Sequence, residues 1–176
     1  MKKLKLEELG RISVEEFKET DKIPVVVVLD NVRSMYNIGS VFRTADAFLI
    51  EKIYLCGITA TPPNKEIRKT ALGATDSIDW EYVKETSELI LRLKSDGFKI
   101  LSVEQTEGSK SLSGFELDPN EKYAVIFGNE VDGVQQKVIN QSDLCLEIPQ
   151  SGTKHSLNVS VCAGIVLWEF YKEFRI

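Results

Sequence analysis

With 176 residues, 43% of them hydrophobic and 28% charged, the chain matches one folded domain of the usual ~100–200 residues, which excludes disorder as its main state. Twenty-two Lys and Arg against twenty-seven Asp and Glu leave a net charge of −5; that excludes a generic coat for polyanions but allows a local basic patch. No apolar run approaches the ~20 residues of a membrane helix, and the three scattered cysteines form neither a disulfide framework nor a zinc pattern.

The basic start Met1-Lys2-Lys3-Leu4-Lys5 has no apolar stretch behind it, so no signal peptide is expected and the location is read as cytoplasmic. Leu6, Leu9, Ile12 and Phe17 recur at roughly helical spacing, which predicts an N-terminal arm or short helix over 6–20, within a leading segment 1–23. From Pro24 onward, short β-branched runs alternate with helical stretches. Strands are predicted at Val25–Leu29, Lys52–Cys56, Ile78–Tyr82, Lys99–Val103, Tyr123–Phe127 and Leu144–Ile148. Several are apolar almost throughout, as strands buried on both faces are. Helices are predicted at Ile38–Phe48, Lys65–Gly73, Thr86–Gly97 and Val134–Gln141. The alternation implies an α/β fold, a mostly parallel sheet with helices on both faces, over 24–176. A last helix, about Ser156 to Phe174, is apolar on most faces in its first half, and so fits a core helix, a subunit contact, or both.

In an open parallel sheet, ligands bind beyond the carboxyl ends of the strands. Three segments there are rich in Gly, Asn, Ser and charge. The first, Asp30 to Arg43, offers Asn37 as a helix cap, Gly39 for close approach of another chain, and Arg43 in the helix's second turn. The second, Phe127-Gly128-Asn129-Glu130-Val131-Asp132-Gly133, is neither a Walker loop nor a dinucleotide fingerprint. The third runs from Ile148-Pro149 to Leu157-Asn158, with Ser156 expected as a cap and Asn158 just inside a helix, where it needs polar partners. Cys162 lies seven residues after the single histidine, His155, about two turns into an apolar helix where a thiol is expected to be buried and inert, so no nucleophilic dyad is expected. No residues have metal-ligand spacing, so no metal is expected.

Taken together, Asn37-x-Gly39-x-x-x-Arg43, Gly128-Asn129-Glu130-x-x-Gly133 and Ile148-Pro149-x-x-Gly152-x-x-x-Ser156-Leu157-Asn158-Val159-Ser160 resemble, in order, the three motifs of the SpoU (TrmH-type) RNA ribose methyltransferases of the SPOUT superfamily. The resemblance covers roughly 24–172. The strings Val103-Glu104-Gln105-Thr106, Gly128-Asn129-Glu130 and Glu147-Ile148-Pro149-Gln150 look most like the domain of eukaryotic enzymes that methylate a tRNA D-loop guanosine.

The resemblance implies a C-terminal trefoil knot, which chain physics alone would not propose, and methyl transfer from S-adenosylmethionine to a ribose 2′-hydroxyl of RNA, with tRNA favoured over rRNA. By the same resemblance, Gly128, Ile148 and Leu157 contact the cofactor, Phe127 and Ser156 lie near it, and Val103 and Glu104 are further candidates. Arg43 corresponds to the family's catalytic arginine. A guanidinium stays protonated, so Arg43 is read as binding the phosphate beside the target ribose or stabilising the developing alkoxide. Asn37 or a phosphate oxygen then helps to accept the proton, Glu130 and Asn158 orient the loops, and Ser156 faces the cofactor or Arg43. A homodimer through the knot region and the last helix is implied, with Arg43 serving its own or its neighbour's site. Gln150 departs from the Met often found after the Pro in bacterial members. Few residues flank the catalytic domain, so RNA grip is expected from the dimer or a partner. Arg33, Lys65, Arg68, Lys69 and Lys154 are candidate phosphate contacts, with Lys2, Lys3 and Lys5 as an arm.

Overall fold

The computed structural model describes residues 1–176, apart from the side chains of Leu6 and Glu7; the expectation for Leu6 therefore lies outside the described residues. The run Ile23–Asp30 is apolar on both sides of its pleat because it forms an interior strand, β1, with Val25, Val27 and Leu29 facing one core and Val26 and Val28 the other. Around it lie β2 (Ile50–Cys56), β3 (Trp80–Val83), β4 (Phe98–Val103), β5 (Lys110–Ser111), β6 (Lys122–Phe127) and β7 (Leu144–Glu147). The order is β3-β2-β1-β6-β4-β7-β5, and every pairing is parallel.

On the first core pack α1 (Val14–Glu19), α2 (Met35–Ala47), α3 (Lys65–Ala71), α4 (Ala74–Ser77) and α7 (Val159–Arg175), through residues such as Phe17, Phe42, Ile67, Ala74 and Phe170. On the second pack α5 (Thr86–Ser95), through Leu89, Ile90 and Leu93, and the single turn α6 (Gln136–Ile139), through Val138. The expected parallel sheet covered on both faces is therefore present.

The differences in detail have local causes. The N-terminal stretch is a 3-10 turn at Leu6–Leu9 followed by α1, whose start is fixed by a reciprocal pair: Glu16 N donates to Ser13 Oγ and Ser13 N to Glu16 Oε2. Of the residues predicted on its apolar face, Phe17 is buried, whereas Leu9 and Ile12 are exposed. Helix α2 begins at Met35, not Ile38, because Ser34 is the cap and its hydroxyl accepts from Asn37 N; the capping role expected of Asn37 falls to Ser34. Likewise α7 begins at Val159. Asn158, not Ser156, is its cap, with Oδ1 accepting from Ser160 N at 2.9 Å. Ile78 is buried at the end of α4, so β3 starts later than expected.

Strand β7 lies between β4 and β5, so the connection from β4 to β5 passes across it before the chain returns to β6 on the far side of β4. That connection also touches the final crossover: Gln105 Nε2 donates to the His155 carbonyl at 2.8 Å and Ser109 Oγ to Glu147 at 2.9 Å. These contacts set 104–109 and 147–158 side by side at the carboxyl ends of β4 and β7. No helix among the described residues is long and apolar enough to cross a membrane.

Helix α7 shows two apolar stripes. Ala163, Val166, Leu167 and Phe170 are buried against the first core, while Val161, Ile165 and Trp168 remain exposed. The Trp168 ring lies 5.8 Å from Phe48 and 6.1 Å from Tyr171, so the outer stripe continues into an aromatic cluster.

Candidate active site

The carboxyl ends of β4, β6 and β7 open into a cavity of about 510 Å³, inside the ~300–1,000 Å³ range of small-molecule sites. Val103 and Phe127 enter it from the ends of β4 and β6, Ile148 from the exit of β7, and Leu157 from the crossover before α7. Gly128, Glu104 and Ser156 complete the set of sequence-predicted cofactor residues, and all seven line this one cavity. Gly128 is required by space: a Cβ there would fall on the backbone of Gly133 and Val134, where the loop folds back on itself.

Two carboxylates hold that loop. Glu104 Oε2 accepts from Val134 N at 3.0 Å. Asp30, fully buried at the end of β1, accepts from Gln135 N at 3.1 Å and Gln135 Nε2 at 2.7 Å, and also from Thr86 Oγ1 at 2.6 Å and Asn31 Nδ2 at 2.9 Å. Sequence reasoning named Asp30 only as the start of a loop. An acid after an apolar strand looks like an ordinary surface turn, and the only available signal was its place at the carboxyl end of a strand apolar on both faces.

A hydrogen-bonded chain links the three motif segments. Glu130 accepts from Arg33 N at 3.1 Å, Ser34 N at 3.0 Å and Asn37 Nδ2 at 2.9 Å. Asn37 Oδ1 in turn accepts from Asn158 Nδ2 at 3.2 Å. Burial alone would raise the Glu130 carboxyl, but the Asn37 side chain and the amides of Arg33, Glu130 and Ser34 outweigh it and hold the group below the usual carboxylate range. Glu130 therefore stays ionised as an acceptor, and the start of α2 is tied to the rim of the cavity.

Arg43 stands apart from this chain. It lies on α2 but does not line the cavity, is exposed, and makes no hydrogen bond or ion pair among the described residues. The buried residues Ile38, Gly39, Val41, Phe42 and Ala45 take the inner side of α2, leaving Arg43 on the outer side with Tyr36. Arg33 pairs with Asp132 at 3.5 Å. Lys65, Arg68 and Lys69 line a separate groove on α3, and Lys154 is exposed in the crossover. Lys2, Lys3 and Lys5 are exposed at the start of the chain.

Cys162 and His155 both border the cavity, yet no hydrogen bond joins them among the described residues. Burial pushes the Cys162 thiol up to about 11, leaving almost no thiolate at neutral pH. No group of His, Cys, Asp and Glu among the described residues could hold a metal ion.

Comparison with known proteins places this site in context. The model of the SpoU rRNA methylase family matches residues 24–168. A protein of Staphylococcus saprophyticus, assigned by name to the TrmH family of tRNA/rRNA methyltransferases, is 28% identical over 160 residues, covering 91% of this chain and 63% of the relative. A counterpart from Staphylococcus aureus is 26% identical with the same coverage. The chain thus spans under two thirds of the length of these curated relatives. Among solved structures, a TrmH/SpoU tRNA-modifying enzyme of A. aeolicus superposes with a TM-score of 0.80 at 26% identity, over 91% of this chain and 81% of that one. An AdoMet-bound rRNA methyltransferase of Sinorhizobium meliloti gives 0.82 at 25% identity, over 91% and 61%.

Proposed function

The chain belongs to the SpoU rRNA methylase family, and from that premise we propose that it transfers a methyl group from S-adenosylmethionine to a ribose 2′-hydroxyl of RNA, with tRNA, and within it a D-loop guanosine, as the favoured substrate. The observation that carries the reading is the meeting of three distant segments: Asn37, Glu130 and Asn158 form one hydrogen-bonded chain at the rim of a cavity lined by Gly128, Ile148 and Leu157. Relatives of similar identity are named for both tRNA and rRNA. The choice of tRNA rests on the wording of 103–106, 128–130 and 147–150.

The residues present suit S-adenosylmethionine. Val103, Phe127, Ile148 and Leu157 give apolar walls, the tight Gly128 turn brings backbone groups to the surface, and Glu104, Glu130 and Glu147 put negative charge around the cavity, as a cationic ligand requires. When bound, this cofactor supplies a methyl group activated by a sulfonium. Glu104 and Asp30 keep the cavity's loop in shape through Val134 and Gln135. Glu130 fixes the 33–37 turn, so that Asn37 and Asn158 face the incoming ribose. Arg43 does not line its own chain's cavity, so the proposal assigns it to the partner subunit's site, where it supplies a permanent positive charge for the neighbouring phosphate or the oxyanion developing at the 2′-oxygen. Asn37 Oδ1 already accepts from Asn158, which makes Asn37 an orienting group and leaves proton acceptance to a phosphate oxygen. The crossing of β7 by the 104–121 connection accords with a knotted C-terminal passage, and we include that knot in the proposal.

Radiolabelled methyl transfer onto bulk tRNA and rRNA, followed by nucleoside mapping, tests the reading. Label in a 2′-O-methylated tRNA nucleoside is expected. Transfer only to rRNA overturns the choice of substrate. No transfer to any RNA by a chain that binds the cofactor overturns the activity, in favour of a silent RNA-binding dimer.

The same proposal includes a homodimer through α7, supported by the exposed stripe Val161, Ile165 and Trp168 beside the cavity residue Leu157. A charge in that stripe opposes burial. Val161→Asp is expected to sediment as a monomer where the parent sediments as a dimer; a monomeric parent overturns this part.

A further inference from the structure

The first turn of α2 carries an aromatic ring that the site described above does not use. Tyr36 is 46% exposed although it immediately precedes Asn37, the residue that bridges Glu130 and Asn158. Its backbone is held in place: the Tyr36 carbonyl accepts from Thr70 Oγ1 on α3 and from Ser40 Oγ, both at 2.9 Å. The ring thus projects, half-exposed, from a fixed backbone.

Helix α3 is brought against it by Gly39, where a Cβ would fall on the Ile67 carbonyl and the Thr70 hydroxyl. That close approach sets Lys69 over the ring, with Lys65 and Arg68 on the same helix. Lys69 Nζ lies 5.9 Å from the Tyr36 ring centroid, and Lys65, Arg68 and Lys69 line a groove of about 410 Å³ with Pro63 and Asn64. None of the three cations is within salt-bridge distance of a carboxylate among the described residues, whereas eight other Lys and Arg side chains each sit within 4.0 Å of one. In a chain of net charge −5, this is a concentrated basic spot next to an exposed aromatic face.

We propose that Tyr36 is a stacking platform for an unpaired base of the RNA substrate adjacent to the target nucleotide, with Lys65, Arg68 and Lys69 holding the phosphates that flank it. The inference rests on the RNA methyltransferase reading and adds a binding subsite to it. Cations alone read only the phosphate chain, while an aromatic face beside them selects a strand whose bases are unstacked and free to pair with the ring. Tyr36 precedes Asn37 in the first turn of α2, and the proposal places the base stacked there next to the nucleotide whose ribose reaches the Asn37–Asn158 edge of the cavity. The substrate segment is therefore a loop or an opened strand, not a continuous duplex.

The test compares the parent with Tyr36→Ala, Tyr36→Phe and the triple variant Lys65→Ala/Arg68→Ala/Lys69→Ala. Readouts are anisotropy with a single-stranded RNA oligonucleotide and with bulk tRNA, cofactor affinity by calorimetry, and sedimentation. Tyr36→Ala is expected to weaken RNA binding roughly 5- to 100-fold, with cofactor affinity, oligomeric state and the salt dependence of RNA binding unchanged. Tyr36→Phe keeps the face and restores binding. The triple variant instead lowers the slope of log affinity against log salt by about 2. The proposal is overturned if Tyr36→Ala binds RNA like the parent, if it weakens only by changing the oligomeric state, or if Tyr36→Phe is equally impaired. Failure of the parent to bind any RNA marks a different fault, since it removes the underlying reading before any variant is compared.

Discussion

Arg43→Ala is expected to lower methyl transfer to RNA by about 10²–10³-fold, the usual cost of removing one donor aimed at developing charge, with S-adenosylmethionine binding unchanged. The separation follows from position. Gly128, Ile148 and Leu157 line the cavity and Arg43 does not, so its loss leaves the walls of the proposed cofactor cavity intact. The guanidinium is exposed and unpaired among the described residues, so its removal leaves no buried partner stranded, and the melting temperature should stay near that of the parent. Placement, in contrast, is tightly set. The inner side of α2 is buried through Ile38, Val41, Phe42 and Ala45, and its first turn is held by Ser34 and Glu130. Arg43→Lys keeps the charge but loses the planar fork, and its turnover should fall between parent and Ala. Single-turnover rates at saturating tRNA, set beside cofactor calorimetry, decide the matter. Near-parental turnover in Arg43→Ala would remove the arginine from the chemistry, and a change in KM alone would confine it to gripping phosphate.

The strands were legible because strands buried on both faces are apolar throughout, as in Val25–Leu29 and Tyr123–Phe127. Helix starts were less so. Asn37 reads as the helix cap, yet the Ser34 hydroxyl three residues earlier captures the Asn37 amide and begins α2 at Met35. The same competition moved the cap of α7 from Ser156 to Asn158, whose carboxamide reaches both Ser160 N and its hydroxyl. Two-residue β5 has no pattern of its own and exists because β7 offers it an edge. The candidate site was legible only through its three motifs taken together. Composition pointed the other way, since net charge says nothing about where unpaired cations such as those of α3 are placed. Asp30 was illegible, because its partners come from the next residue and from Thr86 and Gln135, 56 and 105 positions away.

For that reason Asp30 carries the largest expected stability effect. It is fully buried and accepts four hydrogen bonds, joining the end of β1 to the first turn of α5 and to Gln135, where the cavity loop ends. No Lys or Arg among the described residues is within salt-bridge distance, so donors alone compensate its desolvation. Asp30→Ala leaves those donors facing a void, at a cost of about 3 kcal/mol or more. For a domain of this size that corresponds to a fall in melting temperature of roughly 6–12 °C, read by calorimetry. Asp30→Asn separates folding from function. Its single carbonyl can serve Thr86 or Gln135 Nε2, but its amide group meets donors where the second carboxylate oxygen accepted. The expected result is a smaller loss of stability, a folded chain, and S-adenosylmethionine affinity about tenfold weaker, because the loop carrying Gly128 is then held mainly by Glu104. Parental melting in Asp30→Ala would show the network to be dispensable. Parental cofactor affinity in a measurably destabilised Asp30→Asn would show that Glu104 alone shapes the cavity.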